Sequence, residues 1–146
     1  LIILGLIIGG VFGFIRYQDY RKFTKASSQL ESLVSSIRPL GTKNISYDKV
    51  CTRSHLKYSK GDINCHVSVS FNISDNANEV VIEKVKLFAG EKNWIYRGDD
   101  TLNSHTLSLY TVSDMSCSFN QPNETDGLYT VGCYGPAKME YFPVRE

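Results

Sequence analysis

The sequence predicts an α+β protein: a long N-terminal hydrophobic helix packed on a small antiparallel β-sheet domain with two disulfides. Three observations carry that prediction. Residues 1–15, LIILGLIIGGVFGFI, are apolar on every side, and an amphipathic stripe follows them with no helix breaker between. The stretch CHVSVSFNIS, residues 65–74, alternates apolar and polar side chains as a half-buried strand does. Four cysteines, Cys51, Cys65, Cys117 and Cys133, all fall in the polar remainder, an even number suited to two bridges.

The helix is read from its start. At about 1.5 Å per residue its apolar part reaches only ~22 Å, short of the ~30 Å hydrocarbon core of a bilayer. Tyr17 and Tyr20 would extend it as interfacial aromatics, and Arg16 would snorkel. A secretory signal fits poorly, because no basic n-region precedes the segment and helical sequence follows it directly. The short span points either to further residues in front or to helices that pack together outside a bilayer. Gly5, Gly9 and Gly13 stand four apart on one face with Gly10 beside them, which lets helix backbones approach closely. The plainer reading is that glycine is common in membrane helices.

After Arg16 the pattern changes. Phe23, Ala26, Leu30, Leu33, Val34 and Ile37 form one apolar stripe, with Lys22, Lys25, Gln29, Glu31 and Arg38 off it, and Pro39-Leu40-Gly41 supplies the stop. Three parts follow: a hydrophobic transmembrane or filament-core helix over 1–22, its amphipathic continuation over 23–41, and a disulfide-stapled extracytoplasmic domain over 42–146.

Within that domain, residues 42–61 read as a polar loop carrying Cys51, Lys49, Arg53, Lys57 and Lys60. In the 65–74 strand Val67, Val69, Phe71 and Ile73 take one face and His66, Ser68, Ser70 and Asn72 the other. Asn76-Ala77-Asn78-Glu79 resembles a capping box, with Val80, Val81, Val85 and Phe88 at helical spacing up to Gly90. A strand through Val80–Leu87 is the alternative, since valine and isoleucine favour it. Short strands are expected over Asn93–Arg97, Thr106–Val112, Met115–Asn120, Leu128–Tyr134 and Ala137–Phe142. The turn signals between them are Gly98-Asp99-Asp100, Ser113-Asp114, the loop from Gln121-Pro122-Asn123 to Asp126-Gly127, and Gly135-Pro136. Short intervals favour antiparallel pairing.

The cysteines are spaced widely, with no C-x-x-C, so neither a zinc knuckle nor a thioredoxin-like site is suggested. Disulfides and an oxidising, extracytoplasmic location are the expectation, against the alternative of buried free thiols. Of the three possible connectivities, Cys51–Cys65 with Cys117–Cys133 is favoured, because the latter pair looks set across a hairpin.

Net charge is +1, from 16 basic and 15 acidic residues, so no global field recruits nucleic acid. His55, His66 and His105 are scattered with no metal-binding spacing, and His66 is expected to be solvated. Asp99-Asp100 reads as a turn device, and no nucleophile elbow, P-loop or dinucleotide fingerprint is present. Neither enzyme chemistry nor a cofactor is expected. Sequons at Asn44, Asn72 and Asn123 matter only in a eukaryotic secretory protein. Arg16, Arg21, Lys22 and Lys25 would place this flank in the cytoplasm by the positive-inside rule, whereas the cysteines argue for the opposite side and outweigh it.

An apolar helix at the extreme N-terminus, continued as an amphipathic helix, then an antiparallel sheet and a C-terminal cysteine pair, resembles the type IV pilins and pseudopilins in order of elements. The resemblance implies removal of a basic leader, which accounts for a chain that starts on Leu1 without methionine. It implies a structural subunit that is membrane-anchored before assembly and then self-associates through its apolar helix into a filament at the cell surface, with adhesion among the roles of such filaments. Such pilins usually begin on an aromatic or methyl-bearing residue and carry a glutamate at position five; here Leu1 and Gly5 stand there, and Asp19 is the earliest acid. The alternative is a single-pass membrane-anchored extracytoplasmic binding domain of a cell-envelope complex.

Overall fold

Helix α1 runs Ile2–Ile37 in the computed structural model. The structure describes residues 2–53, 62–73, 77–102, 105–122 and 127–145, with side chains from residue 8 onward apart from 102 and 105. All six residues of the apolar stripe, Phe23 to Ile37, are buried. The helix then tightens into one 3-10 turn, Arg38–Leu40, and stops at Gly41, whose φ of 81° is the left-handed conformation that glycine adopts without steric cost.

Six strands follow: β1 (Thr42–Arg53), β2 (Ile63–Ile73), β3 (Ile95–Leu102), β4 (His105–Val112), β5 (Met115–Asn120) and β6 (Leu128–Ala137). They form one sheet in the order β1-β2-β6-β5-β4-β3, and every neighbouring pair is antiparallel. A second helix, α2 (Asn78–Glu91), connects β2 to β3. Val67, Val69 and Phe71 of β2 share one core with Tyr129, Val131 and Cys133 of β6 and Cys117 and Phe119 of β5. The same core takes the α1 stripe and Val81, Val85, Phe88 and Ala89 of α2, so both helices cover one face of the sheet.

Both disulfides have the expected connectivity, Cys51–Cys65 and Cys117–Cys133. Each joins residues directly opposite in neighbouring strands, β1 to β2 and β5 to β6, and all four cysteines are buried. The alternation in β2 is as expected for Val67, Val69 and Phe71, while Ser68 on the opposite face is also buried. Val80–Leu87 is helical, which decides between the helix and strand readings.

Five local expectations are corrected. Thr42–Arg53 is a strand, not a loop: β1 pairs with β2 on both sides of a register shift between Lys43 and Ser46, and the ladder with Cys51 opposite Cys65 compensates for its polar composition. Helix α2 begins after Ala77, whose methyl side chain cannot cap it; the Asn78 side-chain oxygen Oδ1 instead accepts the Tyr129 hydroxyl at 2.8 Å, and Asn76 lies outside the described residues. Gly98-Asp99-Asp100 is no turn but the middle of β3, where the register shifts between Tyr96 and Gly98 and Gly98 takes φ 130°. Gly135-Pro136 continues β6, since the β5 ladder has ended at Tyr134 and Pro136 pairs only with Asn64. Residues 138–142 form no strand; they fold back onto α1 through contacts described below.

The tail that follows protects the outer edge of the sheet. Cys51 donates its N–H to the Pro143 carbonyl at 2.9 Å and accepts from Arg145 N–H at 3.0 Å. The Arg145 guanidinium holds both Asp48 carboxylate oxygens at 3.0 Å. Backbone groups of an edge strand left unpaired would invite another chain.

Candidate assembly helix and its anchor

The domain grips α1 from Arg16 onward and leaves residues 8–15 uncovered. The Tyr141 hydroxyl lies 2.8 Å from Asp19 Oδ2, to which it donates, and 3.1 Å from the Arg16 carbonyl. Lys138 N–H donates to the same Asp19 oxygen at 2.6 Å. Lys22 Nζ holds Asp19 Oδ1 at 2.9 Å, Asp114 Oδ2 at 2.7 Å and the Pro136 carbonyl at 2.6 Å. Beneath this network Phe23 is fully buried, with the rings of Tyr141 and Phe142 at 6.0 and 6.1 Å. Tyr20 completes the cluster, its ring 5.4 Å from Tyr141. Thus three separate parts of the chain, the helix, the β4–β5 turn and the C-terminal tail, are locked together where the helix leaves the domain.

Burial raises the Asp19 pKa, but the hydrogen bonds from Lys138, Lys22 and Tyr141 outweigh it and hold the carboxyl below its ordinary value. A carboxyl depressed on folding contributes stability that is present above its unfolded pKa and lost as pH falls toward the folded one. Melting temperature is therefore expected to fall as pH drops below about 3.8, the ordinary value. Asp19→Asn is expected to cost roughly 1.5–3 kcal/mol at neutral pH, the range for hydrogen bonds to a charged group. It should also flatten that acid limb. Thermal melts of both proteins across the acid range test this, and parallel pH profiles would count against Asp19 as the titrating group.

Residues 8–18 of the helix are exposed all round. Phe12 and Phe14 are 60% and 62% exposed, and Ile8, Val11, Ile15 and Tyr17 stand beside them. At Gly9, Gly10 and Gly13 an added Cβ meets nothing within 4 Å, so within one chain these glycines serve no packing. Gly5 lies in the helix ahead of the residues with described side chains. Among the described residues no helix is long and apolar enough to cross a membrane.

Other residues singled out in the sequence are dispersed. Arg21 and Lys25 line an open cleft of about 530 Å³ beside Ser113, while Lys22 is consumed by the anchor. His66 is not simply solvated: it leans over Gly132, whose added Cβ would meet Nε2 at 2.6 Å, and burial lowers its pKa. Asp99 accepts a hydrogen bond from Ser108 at 2.6 Å. Asn44 is exposed and donates to Asn72 at 3.3 Å, whereas His55 and Asn123 lie outside the described residues. Among the described residues no three His, Cys, Asp or Glu side chains group as a metal site.

Sequence reasoning missed the anchor. The one available signal was Asp19, a lone acid among Arg16, Arg21, Lys22 and Lys25. Two of its partners, Lys138 and Tyr141, lie more than a hundred positions downstream. No family model matches the chain, and neither a curated protein nor a solved structure does.

Proposed function

We propose that this protein is a structural subunit of a pilus-like filament outside the cytoplasm, assembled through its N-terminal apolar helix. The observation that carries the reading is the contrast within α1. From Phe23 onward one face is apolar and buried; over residues 8–18 all faces are exposed and most side chains are apolar. A helix apolar on every side needs partners on every side. Neighbouring copies of the same helix supply them, and a glycine face with open space above it is what close helix approach requires. Head-to-tail contact of that kind builds an open helical array. The two buried disulfides favour an oxidising compartment, consistent with a surface filament.

Gly9→Leu tests the reading. Leucine is a better helix former than glycine and meets nothing within one chain, so the domain should keep its stability. Between helices the new side chain intrudes, and filament yield is expected to fall about tenfold or more, the effect of roughly 1.4 kcal/mol lost at the contact. A lone lipid anchor makes the opposite prediction, because the variant is more apolar. Filament yield and membrane retention are measured side by side, with a chain lacking residues 1–15 as the expected non-assembling control. Unchanged assembly in the leucine variant, or polymerisation of the truncated chain, would overturn the proposal.

A further inference from the structure

A second feature lies away from the assembly helix, where α2 ends and β3 begins. Trp94, Tyr96 and Tyr110 meet there with Lys86, Ala89 and Gly90 around a cavity of about 380 Å³. That volume lies at the small end of ligand pockets. The three rings stand edge to face: Trp94 and Tyr110 are 5.9 Å apart at 62°, and Tyr96 and Tyr110 are 5.6 Å apart at 62°. Trp94 is 5% exposed and forms the floor, fixed by its indole N–H donating to Gln29 of α1 at 3.2 Å. Tyr96 is 52% exposed and offers a ring to solvent.

Two opposite charges flank this corner. Asp99 is held by the hydroxyls of Ser108 and Tyr96, and Lys86 reaches close enough to favour its carboxylate form. The buried hydroxyl of Tyr110 makes no hydrogen bond of good geometry. Buried hydroxyls rarely stay so, and this one belongs to a residue that lines the cavity.

We infer that this cavity is a binding site for a neutral carbohydrate. A pyranose ring carries apolar C–H faces that pack on aromatic rings, and hydroxyls around its rim that both donate and accept. Those hydroxyls donate to the Asp99 carboxylate and accept from the Lys86 ammonium at once. The opposite charges of Lys86 and Asp99 offset each other, so the corner carries no net charge to favour an ion over a neutral polyol. The aromatic rings lose little conformational freedom on binding, since Trp94 and Tyr110 are already packed. The assignment is independent of filament assembly, because every residue involved belongs to the folded domain and to one chain.

Trp94 is the single tryptophan of the sequence, so its emission reports on this cavity alone. The experiment titrates the full chain, kept in solution by a polyoxyethylene detergent, with the methyl glycosides of glucose, galactose and N-acetylglucosamine. Choline, acetate and adenosine serve as charged and planar comparison probes. A saturable shift in emission is expected with at least one glycoside. Tyr96→Ala removes the exposed ring and should weaken that binding about tenfold or more, as loss of an aromatic anchor does. Gly90→Leu adds a side chain into open space at the cavity lining, in a helical backbone, and should block binding while melting as the parent does. Absence of a saturable response to every glycoside overturns the inference. So does tighter binding of choline, acetate or adenosine, or undiminished glycoside binding in the Gly90 variant.

Discussion

Phe23→Ala is expected to lower the stability of the domain by about 3–5 kcal/mol, the range for truncating a fully buried phenylalanine. Phe23 has no exposed surface, and its ring holds Tyr141 and Phe142 of the tail against α1. The Lys22 ammonium also lies 5.1 Å from its ring centre. The alanine variant leaves a cavity at the junction where helix, turn and tail meet, and little nearby is free to collapse into it. Asp19 and Lys22 remain bonded, but the aromatic rings above them lose their support. Chemical denaturation followed by far-ultraviolet dichroism measures the loss. A cost below about 1 kcal/mol would mean that the junction relaxes and that Phe23 does not secure the tail.

Removing the Cys117–Cys133 bridge as Cys117→Ala with Cys133→Ala is expected to cost about 3 kcal/mol. Chain-entropy reasoning assigns that amount to a closed loop of about this length. The bridge links β5 to β6 near the centre of the sheet, with Val67 of β2 on the far side of Cys133 and Tyr110 of β4 on the far side of Cys117. Its loss therefore loosens four strands and not one hairpin. The Cys51–Cys65 bridge closes a loop of similar length, but it secures an edge strand that Arg145 and Pro143 also hold. Midpoints of unfolding for the two double-alanine chains should rank accordingly. Mass spectrometry of the unreduced protein should show it four hydrogens lighter than the reduced chain, as two bridges require. Four alkylatable thiols in the native protein would contradict the bridges and, with them, the oxidising compartment proposed for the filament.

Local periodicity made much of this architecture legible. The stripe from Phe23 to Ile37 is set by the 3.6-residue turn, and each of its residues is buried. Pro39 and Gly41 end the helix for reasons internal to a few residues of backbone. The alternation of Val67, Val69 and Phe71 likewise needs only the two-residue period of a strand. The Cys117–Cys133 pairing was legible as well, because the two residues flank a segment that reads as a hairpin, and Cys51–Cys65 followed from it.

What local pattern left undecided depends on neighbours distant in sequence. Thr42–Arg53 carries no strand signal of its own, and becomes β1 because the β2 edge pairs with it on both sides of a register shift between Lys43 and Ser46. Gly98 and Pro136 read as turn residues, yet strands tolerate them where a bulge or a vacant neighbouring position removes the steric or hydrogen-bonding objection. Asp19 meets Tyr141 and Lys138, and Tyr96 meets Tyr110, only once the sheet order is established. Local pattern alone set the α1 stripe, the alternation of β2 and the place of the apolar arm, while Val80–Leu87 stayed open between helix and strand. Only the tertiary structure decided which charges that arm is anchored by and which rings gather into a cavity. Hydrophobic periodicity is encoded every two to four residues, whereas a polar cluster or a pocket is a coincidence of side chains that the folded backbone alone brings within reach.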